Sequence, residues 1–173
     1  AMAGIGTYTK IEGFAFLPIT SFMMALTTFV SQNRGAKEYE RARKGAHFGL
    51  VCSVSLAETI GLLIALFVTP LMRLFVDDPQ VIQYGVERAH YATILFFMLA
   101  YSHGVSAVLR GVGKSVVPMV VMLVCWCLVR VTLLTMLNML FHNILFVYLI
   151  YPFTWSLSSI VFFLYYRKIN WQE

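Results

Sequence analysis

The sequence predicts an all-α, polytopic bundle of five membrane-spanning helices. The first ground is composition. The 173 residues are 60% hydrophobic and 12% charged, with a mean hydropathy of +0.77. Soluble domains run at roughly 45–50% apolar and about 25% charged. The second is that the apolar residues fall in continuous runs long enough to cross a bilayer as helices, about 20 residues each. The third is the lack of strict alternation along those runs. Only helices or closed barrels satisfy the backbone in lipid, and barrel strands need that alternation.

The first span is expected over 4–30, with its most continuous part from Ile11. It ends at the polar connector SQNRGAKEYERARKG, Ser31 to Gly45. The second span covers 47–71 and stops at RLFVDDPQ. The third, 89–109, stops at RGVGKS, and the fourth, 116–140, is parted by FHN from the fifth, 144–166.

The connectors predict orientation. Arg34, Lys37, Arg41, Arg43, Lys44, Arg110, Lys114, Arg167 and Lys168 gather on one face, against Lys10, Arg73 and Arg88 on the other, nine to three. An excess of Lys and Arg marks the cytoplasmic side. The C-terminus is therefore expected in the cytoplasm and, with five spans, the N-terminus outside. The opening AMAGIGTYTKIEGF has neither the basic n-region nor the cleavage site of a signal peptide. The chain is accordingly expected to be the C-terminal part of a larger multi-pass protein of the cell membrane.

Charge and motifs narrow the function classes. The net charge of +5 sits between apolar spans, which favours the bilayer and its anionic headgroups as partner and argues against nucleic acid. Cys52, Cys125 and Cys127 lie inside apolar runs with no nearby set of ligands, so neither a disulfide nor a metal site is expected. No nucleophile elbow or phosphate loop is present, and GVGKS at 111–115 lacks the strand and frame of a P-loop. Neither enzymatic activity nor a bound cofactor is expected.

A few residues break the apolar rule. Glu58, in SLAETIGLLIALF, sits deep in the second span, where a carboxylate costs from about 2.5 kcal/mol upward. It reads as an ion-binding or protonatable group facing a cavity, or as a structural carboxylate bonded to a neighbouring helix. Arg130, deep in the fourth span, cannot shed its charge and reads as a structural tether or a substrate contact. Charge balance suggests Glu58 as its partner. His103 is a helix–helix contact or a proton relay, whereas His47, His90 and His142 lie at span ends. Trp126 and Trp155 lie deep enough to stack on a ligand or to serve as packing. Pro18 and Pro152 are hinge candidates, and Pro70 and Pro118 read as boundary residues. The pairs Gly45/Gly49, Ala57/Gly61 and Ala107/Gly111 have the spacing of close helix packing.

Three stretches resemble the multidrug and toxic compound extrusion (MATE) family. SQNRGAKEYERARKG at 31–45 is similar to that family's cytoplasmic loop, where Gln-Asn and Gly-Ala precede a short basic helix. LFVDDPQVIQYG at 74–85 resembles an outer connector, and VLRGVGKSVVPM at 108–119 the next cytoplasmic turn. The resemblance implies half of a two-lobe transporter, here helices eight to twelve, with an N-terminal lobe as missing partner. It implies secondary active efflux of amphipathic or cationic compounds in exchange for sodium ions or protons, in a bacterial inner membrane. Family members that carry an acid in the tenth helix differ from this chain, which has none between Phe96 and Leu109. A lipid-linked oligosaccharide flippase of the same superfamily, or a non-transporting scaffold, are the alternatives. Flippases line their cavity with more basic residues, and Arg130 is the one expected at depth. If Glu58 is the coupling acid, Glu58→Gln reduces ethidium efflux.

Overall fold

The computed structural model describes residues 2–141 and 144–171; among these every regular element is helical and no strand occurs. Helix α1 spans Met2–Gly35 and α2 spans Tyr39–Arg73, 34 and 35 residues long. At 1.5 Å per residue each is about 50 Å long, more than the roughly 30 Å of a hydrocarbon core. Part of the surplus is the polar connector itself: residues 31–45 are helical except for Ala36–Glu38.

The hairpin closes through hydrogen bonds that satisfy the last carbonyls of α1. Glu38 N donates to Asn33 O at 2.8 Å and Lys37 N to Arg34 O at 2.9 Å, the two bonds of a Schellman cap. That cap requires a left-handed residue, here Lys37 with φ +63°. The same device ends α4 (Phe96–Gly111), where Lys114 N reaches Leu109 O and Gly113 N reaches Arg110 O, both at 2.9 Å. There the left-handed residue is Gly113, φ +84°. Arg34 joins the two turns by donating to Val112 O. A side chain in the left-handed region costs roughly 1–2 kcal/mol, partly offset by the greater chain entropy glycine loses. Lys37→Gly is thus expected to stabilise the protein by about 1 kcal/mol, read as a rise in thermal midpoint in detergent. An unchanged or lower midpoint would contradict it.

Helix α3, Pro79–Thr93, starts from a well-formed cap, with Asp78 accepting from Gln80 N at 2.8 Å and Pro79 in the first turn. It meets α4 at a 57° bend across Ile94 and Leu95. The third expected span, 89–109, is therefore a broken helix. The break holds no proline: Pro18 and Pro152 lie within α1 and α7 and Pro70 within α2. It is shaped by contacts from α2 instead. A Cβ on Gly61 would stand 3.2 Å from Thr93 O and 3.1 Å from the Phe96 ring, so α2 lies directly against the bend.

The fourth span begins as α5 (Val116–Met122), widens into a π-helical stretch (Leu123–Val129), and resumes as α6 (Arg130–Phe141). Helix α7, Ile144–Arg167, closes the bundle. Among the described residues four helices are long and apolar enough to cross a membrane, or five if the bent α3–α4 pair is one span. The chain is a multi-pass membrane protein.

The small-residue pairs sit at helix contacts. Gly45 and Gly49 face Phe29 and Leu26 of α1, and a Cβ on Gly111 would come within 2.9 Å of Thr27 O. The Thr27 hydroxyl also donates to Ala107 O at 3.1 Å, pinning α1 to α4. The buried apolar residues form two clusters, one around Leu26, Leu50, Val108 and Phe162, the other around Tyr8, Val68, Phe96 and Trp155. Trp126 packs against both, which sets it between the two halves of the bundle.

Candidate functional site

Charged side chains reach the interior where the two clusters meet. Glu12 on α1 is 8% exposed and Arg88 on α3 is 5% exposed. Their Oε2 and Nη2 atoms are 3.5 Å apart. Arg88 also donates from Nη1 to the Thr9 hydroxyl at 3.1 Å and to Ile5 O at 3.3 Å. Its guanidinium lies 5.5 Å from the Tyr8 ring centre and 4.7 Å from that of Tyr151. Every one of these partners sits on α1 or α7, so Arg88 locks the first turns of α1 to α3.

Arg130 reaches the other side of the same tyrosine neighbourhood. It is the first residue after the π-helical stretch. Its Nε and Nη2 donate to the Thr154 hydroxyl at 3.1 and 2.6 Å, and Thr154 donates onward to Tyr151 O at 3.0 Å. The guanidinium lies 4.6 Å from the Tyr151 ring centre and 5.0 Å from that of Trp126. Cation–π contacts of this kind gain strength where water is excluded.

Between these groups lies a cavity of about 260 Å³, walled by Glu12, Arg88, Arg130, Trp126, Tyr151 and Trp155. Trp126 donates from Nε1 to the Ser158 hydroxyl at 3.3 Å. Ser158 and Ser159 both bond Ser102, at 2.9 and 2.8 Å, forming a polar seam between α4 and α7. The seam fixes the indole, because interhelical hydroxyl bonds hold helices in register within lipid.

Of the residues singled out in the sequence, Arg130, Trp126 and Trp155 line this cavity together. His103 stands beside it, 5.1 Å from the Trp126 ring and 5.6 Å from Phe16, with Nδ1–H donating to Leu99 O at 3.2 Å. Glu58 lies elsewhere. Its Oε2 accepts the Phe97 N–H at 3.1 Å, in the first turn of α4 just past the bend. The pairing of Glu58 with Arg130 suggested by charge balance is not formed: Arg130 takes Thr154 and two aromatic faces, and Glu58 takes a backbone amide freed by the broken helix. His47 lines a groove with Arg43, Lys44 and Tyr166, His90 is exposed, and His142 lies outside the described residues.

Glu12 and Arg88 were not singled out from the sequence. Glu12 follows Lys10 near the start of an apolar run, where a carboxylate reads as an end residue. Arg88 directly precedes a run starting at Ala89 and reads as part of the outer connector; in the structure it is 5% exposed and lines the cavity, so Arg130 is not the one arginine of the interior. The available signal was helical spacing. Gly85, Ala89 and Ala92 mark a buried stripe, and Arg88 stands in it.

The family model described as MatE matches residues 1–136. The chain is 30% identical over 121 residues to the probable multidrug resistance protein NorM of Thermotoga maritima, covering 70% of this chain and 26% of that protein. It is 23% identical over 175 residues to the probable multidrug resistance protein YoeA of Bacillus subtilis, covering 100% of this chain and 37% of that protein. A third relative, the FAD transporter of Shewanella oneidensis, is 29% identical over 84 residues, 49% of this chain and 19% of its own length. The chain thus spans between about a fifth and two fifths of each of these relatives.

Proposed function

The chain belongs to the MatE family, the multidrug and toxic compound extrusion transporters, and from that membership we propose that the whole protein is a secondary active multidrug efflux antiporter. It exports amphipathic organic compounds, cationic ones among them, in exchange for sodium ions or protons. The observation that carries the reading is the buried Glu12–Arg88 pair beside a cavity walled by Trp126, Tyr151 and Trp155. A carboxylate in an apolar interior needs a positive partner, and Arg88 fills that need here. A sodium ion or proton arriving at Glu12 takes over Arg88's role and releases the guanidinium toward the cavity. Cation binding thus changes the charge that Arg88 presents to the cavity, so the coupling cation and the cargo are linked through one side chain, which coupled transport requires.

The basic residues at one end of the bundle support a cytoplasmic C-terminus. Arg34 bonds the 112–115 turn, and Arg43 and Lys44 share a groove with Tyr166 at the end of α7. The connectors at 31–45 and 110–115 and the end of α7 therefore face the same side, the cytoplasmic one by the positive-inside rule. The remaining partner is an N-terminal lobe against which this bundle alternates access, in a bacterial inner membrane.

Ethidium accumulation in everted vesicles carrying the intact protein tests the reading. An imposed sodium or proton gradient is expected to raise accumulation several-fold over vesicles without the protein. Accumulation indifferent to both gradients would overturn coupled efflux and leave the scaffold reading in its place.

A further inference from the structure

We propose that the cavity bounded by Glu12, Arg88, Arg130 and Trp126 is a subsite for the acid group of an aromatic anion, so that the preferred cargo carries an oxyanion on a flat ring. The inference rests on the transporter reading for its biological sense and, within its amphipathic cargo, ranks anions ahead of cations.

Charge arithmetic leads to it. The cavity wall holds two guanidiniums and one carboxylate. Glu12 lies 3.5 Å from Arg88 and also acts on Arg130 from beyond ion-pair distance, so one carboxylate serves two guanidiniums and the wall keeps a net positive charge. Arg130 has no carboxylate within ion-pair distance among the described residues; a neutral hydroxyl and two ring faces hold it. A guanidinium keeps its proton, and a charge only partly compensated in an apolar setting is costly. An incoming anion removes that cost. A cation makes it worse.

The geometry suits an oxyanion in particular. Thr154 engages Nε and Nη2 of Arg130, which leaves Nη1 without a hydrogen bond among the described residues. The planar fork of arginine pairs with carboxylate or phosphate through charge-assisted bonds that are about twice as strong as neutral ones. Tyr151 stands within 4.7 Å of both guanidiniums, and both line the cavity. The rest of the wall is aromatic, with Phe16, Trp126 and Trp155 offering ring faces and edges to a flat ligand. At about 260 Å³ the cavity is smaller than the roughly 300–1,000 Å³ of drug-sized sites, and takes the headpiece of a larger molecule.

Three probes that share one ring and differ in charge isolate the effect: naphthoate, naphthylmethanol and naphthylmethylammonium. Binding to the intact protein in detergent is followed by tryptophan fluorescence, and uptake by everted vesicles under a sodium or proton gradient. Naphthoate is expected to bind on the order of tenfold more tightly than either other probe, as one charge-assisted bond supplies. Arg130→Gln is expected to erase that preference while leaving the affinity for naphthylmethanol within about twofold, and Arg130→Lys to retain part of it. Equal binding of the three probes by the unaltered protein overturns the subsite, and so does a naphthoate preference that survives in Arg130→Gln. The comparison in the unaltered protein stands even if Arg130→Gln fails to fold. Selective binding of naphthoate without gradient-driven uptake of any probe supports the subsite and counts against the antiporter reading, so the two fail separately.

Discussion

Changing Glu12 to glutamine is expected to abolish gradient-driven transport and to lower stability by about 3–5 kcal/mol. Glutamine fits the space and can still accept a hydrogen bond from Arg88, but it carries no charge. Arg88 would remain at 5% exposure with the Thr9 hydroxyl, Ile5 O and two ring faces as its neutral company. The loss comes mainly from stranding that charge, and a second substitution separates this from the loss of coupling. Pairing Glu12→Gln with Arg88→Met removes both charges, and apolar replacement of a buried ion pair is often neutral or better. The double variant is therefore expected to recover most of the thermal midpoint in detergent and none of the gradient dependence. If Glu12→Gln alone is as stable as the parent, the buried pair is not a structural element. If the double variant still couples, the exchange site lies elsewhere.

Glu58 is expected to tolerate glutamine and to resist leucine. The carboxylate takes the Phe97 N–H at 3.1 Å, where the 57° bend leaves backbone donors without helical partners. The amide oxygen of glutamine accepts the same bond, and only the attraction of a negative charge to a helix N-terminus is lost, about 0.3–1 kcal/mol. Leucine leaves the amide unsatisfied in an apolar setting, which costs about 1–3 kcal/mol. Thermal midpoints of Glu58→Gln and Glu58→Leu, with ethidium efflux measured on both, decide between two roles. A coupling acid loses efflux in both variants. A residue that caps the bend keeps efflux with glutamine and loses stability with leucine, the outcome expected from the geometry.

The two carboxylates show how much of this protein is legible in its sequence. Apolar runs and basic connectors mark the helices and the shared end of the bundle, because both depend on solvent alone and are local in the chain. Arg130, Trp126 and Trp155 stand out because each contradicts or enriches its run, and they do share a cavity. Glu58 stands out for the same reason, yet its partner is a backbone amide exposed by a bend. No proline announces that bend; it is shaped by α2 lying against Thr93 and Phe96, a contact between residues far apart in sequence. Glu12 and Arg88 sit at the edges of their runs, where charge is ordinary. Only the packing of α1 on α3 turns those edges inward. The connector at 31–45 looks like a loop because it is polar, but its periodicity is helical and the turn needs only Ala36 to Glu38.

The wide turn at Leu123–Val129 divides one span into two phases. Side chains before it follow one angular frame, and those after it, Arg130 first among them, follow another. One residue corresponds to about 100° around a helix. Gaining or losing a single residue within that turn would therefore rotate the whole of α6 against the cavity without altering any residue in its wall. Which groups face the cargo is set here by the phase of a helix as much as by the identity of its residues. A lobe built this way can change what it accepts through one insertion or deletion, leaving the rest of its sequence intact.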